Sequence, residues 1–405
     1  MNKEDFAKLK SPEVLRLIKE FSEFDPEKFI LKFAGTSSMP VSAMAEQIKS
    51  RKKARTKLFD LPVDDMLFMP VPLEQASGTL TASFKAGLIS GDRIIDLTGG
   101  LGIDSFFFAH RFNDVFHCEQ NEVLFSIADY NAGVAGISNI NFTCCNSIEF
   151  LKSFPDKHFD WIYIDPARRD ETSRSVDIHY LQPDVANLEA LLLAKSKNVI
   201  IKLSPAFDVN EAIKTFHALT RFLVVSVNNE CKEALLILSD ETKELRITGV
   251  ELSRSYPPII IETSFAKSRP TIRESDPPGN FLYETFCGIS KAGLNNFVAQ
   301  EFNLTAYLKS EYYFFSSTRQ ENFPGKIFEI IEKIPYNIKT LKKMLRRLKI
   351  DKLNIKAKGI AVKPEDVTKK LKLKNGGDYF LFILADNELT EMFLTKIEKI
   401  HSMDL

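Results

Sequence analysis

Short apolar runs alternate with amphipathic helical patterns along residues 73–238, and this alternation restricts the possible folds more than any other feature. The apolar runs cover residues 93–97, 115–118, 140–144, 161–164, 199–202, 222–227 and 234–238, with helical patterns at 104–110, 122–132, 184–195 and 209–219. Such alternation indicates βαβ units around a parallel sheet. A short loop separates the last two runs, which predicts a hairpin and an antiparallel final strand. We therefore expect an α/β fold with a Rossmann-like, doubly wound sheet.

A glycine-rich turn follows the first run. Residues 96–102 read Asp-Leu-Thr-Gly-Gly-Leu-Gly, and Asp104 follows at the start of a helical pattern. Glycines let the backbone approach a ligand closely, and a helix start offers free N–H donors. The dinucleotide fingerprint needs a third glycine where this chain has Ser105. An acidic residue at the start of the turn fits S-adenosylmethionine instead, and we expect Asp96 to fix the loop and face the methionine end of that cofactor.

Two later positions extend the predicted cofactor site. Glu119 follows the second run, about 20 residues beyond the glycines, where a carboxylate can accept hydrogen bonds from both ribose hydroxyls. Asn146 and Ser147 follow the third run and would read the adenine edge. A plain polar loop is the alternative interpretation of that stretch.

The fourth run ends in Asp165-Pro166-Ala167-Arg168, at the edge where the acceptor is expected. Amino-methylating enzymes carry Asp/Asn-Pro-Pro-aromatic at this position, so the match is partial. We expect Pro166 to fix a tight turn and Asp165 to accept a hydrogen bond from a nucleophilic nitrogen. Arg168 would pair with a phosphate or stack on a base. A structural ion pair is the alternative role for Arg168.

The next run is expected to end at the same edge. Because ligands bind outside the carboxyl ends of parallel strands, its last residues are expected to line the same pocket. Lys202 and Ser204 are expected there, and Phe207 would either stack on a base or fill the core. No Pro-Cys or Thr-Cys pair stands at either strand end, which counts against a covalent cysteine mechanism. The chemistry predicted is direct in-line methyl transfer, in which positioning supplies most of the rate.

Cysteine and histidine usage bears on location and metals. The cysteines are odd in number and lack framework spacing, which indicates reduced thiols and a cytoplasmic protein. They stand at Cys118, Cys144, Cys145, Cys231 and Cys287. Without a CxxC pair and with dispersed histidines, no metal site is expected. No apolar run reaches the roughly 18 residues of a membrane span, and no signal peptide is visible.

The zero net charge of the whole chain hides a basic segment. Residues 333–374 contain 15 Lys/Arg and 3 Asp/Glu, a local charge of +12 that the rest of the chain balances. Such a block suggests a polyanion such as RNA or DNA, and a solvated helical face is the alternative. A helix is predicted at 338–348, with Leu341, Leu345 and Leu348 facing its core. Its predicted RNA-binding residues are Lys339, Lys342, Lys343, Arg346 and Arg347.

Together these residues resemble bacterial class I S-adenosylmethionine-dependent methyltransferase-like proteins with a C-terminal THUMP-like domain. The resemblance covers nearly the whole chain and rests on residues 73–77, 96–104, 165–169, 202–205 and 353–359. Residues 276–293 resemble the small ferredoxin-like unit of Bacteroidetes members. The resemblance implies a helical N-terminal region (1–72), a class I methyltransferase domain (73–265), a small ferredoxin-like domain (266–332) and a basic THUMP-like domain (333–405).

The resemblance also implies a partner and a function. True THUMP domains bind structured RNA, so a base in tRNA or rRNA is the expected acceptor, and Gln75 and Ser77 would cap the cofactor pocket. The alternatives are a non-catalytic RNA-binding protein that keeps the fold, and a methyltransferase acting on a small molecule or a protein. The predicted catalytic residues are Asp165, Pro166 and Arg168, and the predicted cofactor residues are Gln75, Ser77, Asp96, Thr98, Gly99, Gly100, Gly102, Asp104, Glu119, Asn146 and Ser147.

Overall fold

The structure is a computed structural model. It describes residues 2–35, 39–168, 178–241, 243–274, 278–308, 310–358, 360, 363–385 and 389–398. The chain divides into two compact units, Met1–Phe222 with Glu233–Lys243 and Leu223–Lys232 with Glu244–Leu405. The predicted α/β fold class, with a helical N-terminal region and small α+β elements toward the C-terminus, is confirmed.

The first unit begins with helices. Side-chain oxygens of Ser11 and Asp25 accept hydrogen bonds from the first backbone N–H groups of two of them, which stabilises those helix starts. The helices share one apolar core with Leu101, Ile103 and Phe106 behind the glycine-rich turn. They are α1 (Lys3–Leu9), α2 (Pro12–Glu20), α3 (Pro26–Lys32), α4 (Val41–Lys57), α5 (Pro70–Gln75) and α6 (Thr79–Leu88). The predicted boundary at 72/73 therefore falls inside α5.

A parallel sheet forms the centre of the first unit. Its strands are β1 (Arg93–Asp96), β2 (Asp114–Glu119), β3 (Ile140–Cys144), β4 (Phe159–Ile164) and, after a short hairpin of β5 (Ala167–Arg168) and β6 (Leu181–Gln182), β7 (Ser196–Leu203). They pair in parallel in the order β3-β2-β1-β4-β7. The connecting helices are α7 (Ile103–Phe108), α8 (Glu122–Val134), α9 (Ser147–Lys152), α10 (Val185–Lys195) and α11 (Val209–Thr215). All five strands end at the same edge, where ligands bind in open α/β sheets.

An antiparallel strand continues this sheet, as the sequence predicts. β9 (Glu230–Ser239) pairs antiparallel with β7 and lies between β7 and β8 (Leu219–Val227). The antiparallel strand is thus internal rather than terminal, and its residues 233–239 are all buried, as an internal strand requires. The division between the units falls within β8 and β9, since residues 223–232 belong to the second unit. That unit also contains β10 (Arg246–Leu252) and β11 (Ile259–Ser264), which form an antiparallel pair.

A second sheet follows in the second unit, in the order β13-β14-β12-β15-β18-β17-β16. Its strands are β12 (Phe281–Thr285), β13 (Thr305–Ala306), β14 (Phe314–Ser316), β15 (Gly325–Pro335), β16 (Asn354–Lys358), β17 (Tyr379–Ala385) and β18 (Thr390–Ile397). The helices are α12 (Cys287–Lys291), α13 (Asn295–Glu301), α14 (Ile338–Arg347) and α15 (Pro364–Leu371). Because β15 pairs with both β12 and β18, the predicted boundary at 332/333 falls within a strand that both segments use.

The two faces of this second sheet carry different cores. Successive side chains of a strand point to opposite faces. In β17, Leu381 and Ile383 pack with the apolar residues of α14 and α15, whereas Phe382 joins an aromatic cluster with Phe328 and Phe393. The helices therefore cover one face and leave their own outer surfaces to solvent.

Helix α14 is amphipathic, and its polar face is basic. Leu341, Met344 and Leu345 are buried, whereas Leu348 is 36% exposed. The prediction that Leu348 faces the core is wrong, because α14 ends at Arg347 and Leu348 is its C-cap. Met344 fills that place in the core instead.

Candidate cofactor and acceptor site

The glycine-rich turn connects β1 to α7, and its backbone requires glycine at two positions. Gly100 has φ +55° and Gly102 has φ +81°, both in the left-handed region that side chains disfavour. A Cβ at Gly102 would also stand 2.8 Å from the ring of Phe106. The third glycine of the turn, Gly99, serves a close approach, because a Cβ there would overlap the imidazole of His117.

Asp96 holds this turn through hydrogen bonds from the protein interior. It is 1% exposed and accepts hydrogen bonds from the backbone N–H of Thr98 (3.0 Å) and the hydroxyl of Ser105 (2.7 Å). Burial raises the pKa of Asp96 to about 7, despite these two hydrogen bonds. The predicted loop-fixing contact of Asp96 is thus present as hydrogen bonds within the turn.

His117 is a part of this site that sequence reasoning missed. Its Nδ1 lies 3.1 Å from the hydroxyl of Ser105, and burial lowers the pKa of His117 to about 3, so the ring is neutral. Its Nε2 is buried and has no hydrogen-bond partner among the described residues. Nothing in the sequence marks this residue, since its contacts come from the packing of β2 under the turn.

Glu119 lies at the end of β2, beside the turn. Its carboxylate accepts hydrogen bonds from the backbone N–H groups of Gly100 (2.9 Å) and Asn121 (2.7 Å). These bonds hold the carboxylate at the turn, where its remaining lone pairs can accept from a ligand. The predicted ribose-binding position is therefore next to the predicted cofactor turn.

A cavity of about 810 Å³ opens at the carboxyl edge of the parallel strands. This volume is within the roughly 300–1,000 Å³ typical of small-molecule sites. All predicted cofactor residues except Gly102 line it, as do Asp165 and Pro166. Lys202, expected at this edge, also lines it. Residues that reach the cavity without having been predicted include Pro72, Cys118, Gln120, Leu124, Cys145, Tyr163, Gln182 and Pro183.

The residues after β3 lie on the same cavity. The Asn146 side-chain oxygen caps α9 by accepting from the N–H groups of Ile148 (3.1 Å) and Glu149 (3.2 Å). Its amide NH₂ is then the part of the side chain that could meet a ligand. Ser147 begins α9 and also lines the cavity.

The Asp165-Pro166 segment is hydrogen-bonded to the glycine-rich turn. The backbone N–H of Asp165 donates to the hydroxyl of Thr98 (2.6 Å). The Asp165 carboxylate, 35% exposed, forms an ion pair with the ammonium of Lys202, which is 12% exposed. Burial lowers the pKa of Lys202, but attraction from Asp165, Asp104 and Glu233 outweighs it and raises the pKa overall. Arg168 ends β5, and its side chain lies outside the described residues.

A buried charge network lies behind this edge, and sequence reasoning missed it. Lys85 of α6 is fully buried and donates to both carboxylate oxygens of Glu233 (2.9 Å each) and to Ser77 (2.9 Å). Its ammonium is 3.2 Å from Asp104, which also accepts from Ser77 and from the Tyr163 hydroxyl, each at 2.8 Å. Ser77 and Asp104, predicted as cofactor residues, thus serve this network as well as the cavity wall.

Aromatic side chains are scarce at the acceptor end of the cavity. Phe207 is 5% exposed and packs in the core, so it does not line the cavity. Within the described part of the chain, Tyr163 is the one aromatic residue of the lining. It is 1% exposed, and its hydroxyl is bonded to Asp104.

The predicted RNA-binding residues share the outer face of α14. Lys339, Lys343, Arg346 and Arg347 are exposed and Lys342 is half-buried. Arg347 pairs with Glu332 at 2.7 Å. Across the ranges that the structure describes, the other four form no ion pair, which leaves their charges available to a polyanion.

The described residues contain neither a cluster suited to a metal ion nor a helix suited to a membrane. No group of three or more His, Cys, Asp or Glu side chains within them is arranged to hold a metal ion. No helix among them is both long and apolar enough to cross a bilayer.

Residues 325–396 match the family model described as THUMP domain-like. The C-terminal segment is THUMP-like. This match confirms the C-terminal part of the resemblance, and it begins at the first residue of β15, eight positions before the predicted boundary at 333. No curated protein matches the chain.

Solved structures show what the whole chain is similar to. A "putative methyltransferase" from Porphyromonas gingivalis W83 matches with TM-score 0.82 and 24% identity over 99% of each chain, so the chain has that protein's fold along its length. A second "putative methyltransferase", from Streptococcus mutans in complex with SAH, covers 43% of this chain and 99% of its own (TM-score 0.30, 13% identity). A tRNA m1G37 methyltransferase from M. jannaschii covers 40% and 49% (TM-score 0.29, 11% identity). The last two TM-scores are too low to indicate a shared fold or function.

Proposed function

We propose that this protein is an S-adenosylmethionine-dependent methyltransferase that acts on RNA. The observation that carries the proposal is a single cavity of about 810 Å³ that collects the Asp96 turn, Glu119 and Asp165. The methyltransferase-like fold and the THUMP-like segment support it.

The residues present fit S-adenosylmethionine. Glu119 is held by two backbone N–H groups and offers its free lone pairs to ribose hydroxyls. The left-handed Gly100 leaves open space where a side chain would stand, so a ligand can lie against the turn. Asn146 and Ser147 would meet the adenine. When bound, this cofactor supplies an electrophilic methyl carbon on a positively charged sulfur.

The chain's own contribution is positioning and proton handling. The bond between the Asp165 N–H and the Thr98 hydroxyl fixes the acceptor end relative to the cofactor turn. Asp165 presents a carboxylate at the mouth of the cavity, beside the Lys202 ammonium. Holding an acceptor atom in line at this point turns a bimolecular reaction into an effectively unimolecular one.

RNA is the proposed substrate because of the second unit. The THUMP-like segment contains α14, whose outer face carries Lys339, Lys342, Lys343, Arg346 and Arg347. Contacts of this kind bind phosphates and supply affinity rather than sequence choice.

Cofactor binding is tested with Glu119→Ala. Loss of one hydrogen bond to a charged acceptor costs about 1.5–3 kcal/mol, so we expect affinity for S-adenosylmethionine to fall at least about 10-fold. Isothermal titration calorimetry of the full chain measures this directly. Glu211→Ala, an exposed glutamate paired with Lys214 on α11, is the matched control and should bind like wild type. Wild-type protein that shows no binding would favour the non-catalytic RNA-binding alternative.

RNA binding is tested with the double charge reversal Arg346→Glu and Arg347→Glu. Each lost phosphate contact lowers the slope of log K against log salt by about 1, so the slope should fall by about 2 and the affinity for tRNA at least 10-fold. Fluorescence anisotropy across a salt series measures both quantities. The control reverses Lys152 and Lys214, exposed lysines of the first unit. An equal loss in the control, or no loss in either protein, would favour a small-molecule or protein substrate.

A further inference from the structure

The acceptor end of the cavity combines a carboxylate with an ammonium. Among the described residues, its wall contains Asp165, Pro166, Ala167, Gln182, Pro183 and Lys202. An extruded base is normally held by stacking between aromatic or apolar side chains and by hydrogen bonds to its Watson–Crick edge. The described lining offers no exposed aromatic ring here, and the exposed Tyr180, just before β6, does not belong to it.

What this wall does offer is a carboxylate next to an ammonium. Lys202 bonds one oxygen of Asp165, and within the described part of the chain the other carboxylate oxygen has no partner and can accept a proton. The raised pKa of Lys202 keeps it charged, so Lys202 cannot itself take a proton and acts as a fixed cation. A hydroxyl acceptor needs both features, because its oxygen becomes more nucleophilic as it loses a proton and a nearby cation stabilises that charge.

A buried ion pair lies behind this wall, and its carboxylate acts on the charge of Lys202. Lys85 and Glu233 are fully or almost fully buried and bonded to each other through both carboxylate oxygens. Asp104 lies between Lys85 and Tyr163, and the charges of Asp104 and Glu233 both act on Lys202. Two ammonium groups, Lys85 and Lys202, are thus set among three carboxylates, and the Lys202–Asp165 pair lines the cavity.

We propose that the acceptor is a hydroxyl and, resting on the proposed RNA function, that it is the ribose 2′-hydroxyl. This group is exposed along the RNA backbone and is reached without extruding a base. Asp165 and Lys202 are then the catalytic residues that touch it, and Lys85 and Glu233 are positioning residues.

The 2′-oxygen forms a bond to the methyl carbon while the carbon–sulfur bond breaks and its electron pair stays on sulfur. The proton of the hydroxyl passes to the free oxygen of Asp165 and from there to water. Lys202 keeps its proton throughout and stabilises the charge that develops on the 2′-oxygen.

The deciding experiment exploits the chemistry of the RNA backbone. Purified full-length protein is incubated with methyl-labelled S-adenosylmethionine and total RNA from a strain that lacks this gene, and the RNA is then hydrolysed in alkali. Alkaline cleavage needs a free 2′-hydroxyl, so we expect the label in alkali-resistant dinucleotides. Label in mononucleotides with a methylated base would overturn this inference and leave the proposed RNA function standing. Label in no RNA class, with donor binding intact, would overturn the RNA function and the inference together.

Variants at Lys202 test the role of the cation. Lys202→Met should lower kcat at least 100-fold, with the KM for RNA and the calorimetric affinity for the donor changed less than threefold, and Lys202→Arg should restore part of kcat. Lys197→Met is the matched control, because Lys197 is exposed on the same strand, pairs with Asp160 and does not line the cavity. If Lys202→Met binds the donor and RNA normally and keeps full kcat, the proposed cation role is wrong. Loss of donor binding in both Lys202 variants would assign Lys202 to the fold instead.

Discussion

Replacing Asp165 with asparagine is expected to lower the rate of methyl transfer about 1,000-fold while leaving donor affinity nearly unchanged. Asparagine keeps the shape of the side chain and the backbone N–H bond to Thr98, so the cofactor turn stays in place. It cannot accept a proton, and it leaves Lys202 without its counter-charge. Loss of a general base typically costs 100- to 10,000-fold in rate.

Single-turnover kinetics with labelled donor and calorimetry of the same preparation separate the two effects. Asp156→Asn is a suitable control, because this exposed carboxylate pairs with Lys195 in the same unit and does not line the cavity. An equal loss of donor binding and of rate would show that Asp165 holds the fold or the cofactor rather than the acceptor.

The largest effect on stability is expected from Lys85→Met. Methionine matches the length of the lysine side chain but removes its charge, which leaves Glu233 and Asp104 buried without their cation. Breaking a buried ion pair by removing one partner costs about 3–5 kcal/mol. The free energy of unfolding of the first unit should fall by that amount.

Trp161 makes this measurement straightforward. It is the single tryptophan of the chain, lies on β4 and donates its indole N–H to the carbonyl of Ser90, so its fluorescence reports on the first unit. Urea unfolding followed at Trp161 gives the free energy of unfolding for each variant.

Two further variants make the result interpretable. Adding Glu233→Gln to Lys85→Met should recover part of the loss, because the buried uncompensated charge is removed. Lys53→Met, at an exposed lysine paired with Glu74, should change the free energy of unfolding by less than about 0.5 kcal/mol. A cost for Lys85→Met as small as for Lys53→Met would mean that the buried network contributes little to stability.

Much of the fold followed from local patterns. The third strand was predicted at the residues where β3 lies, and the helix at 338–348 differs from α14 by one residue. Apolar periodicity and glycines act locally, so both are visible in sequence. Glu119 and Asp165 were found in the same way, because parallel strands bring their carboxyl ends to one edge.

Other features depend on contacts between distant segments. The Lys85–Glu233 pair joins residues 148 positions apart, and neither residue stands in a motif. Gly99 is part of the predicted turn, but the reason for that glycine is the ring of His117 beneath it. The shared strand β15 likewise results from pairing on both of its edges, which no local pattern shows.

The sequence by itself determined the type of sheet, the glycine-rich turn and the basic C-terminal segment, because each depends on residues that are neighbours along the chain. Only the tertiary structure decided what the acceptor end consists of. There, folding brings Lys202 against Asp165, buries Lys85 with Glu233 and directs Phe207 into the core. These placements depend on burial and on charges that meet across strands. Because these placements are not visible in sequence, the sequence alone predicted a base as acceptor. With them, we propose a hydroxyl.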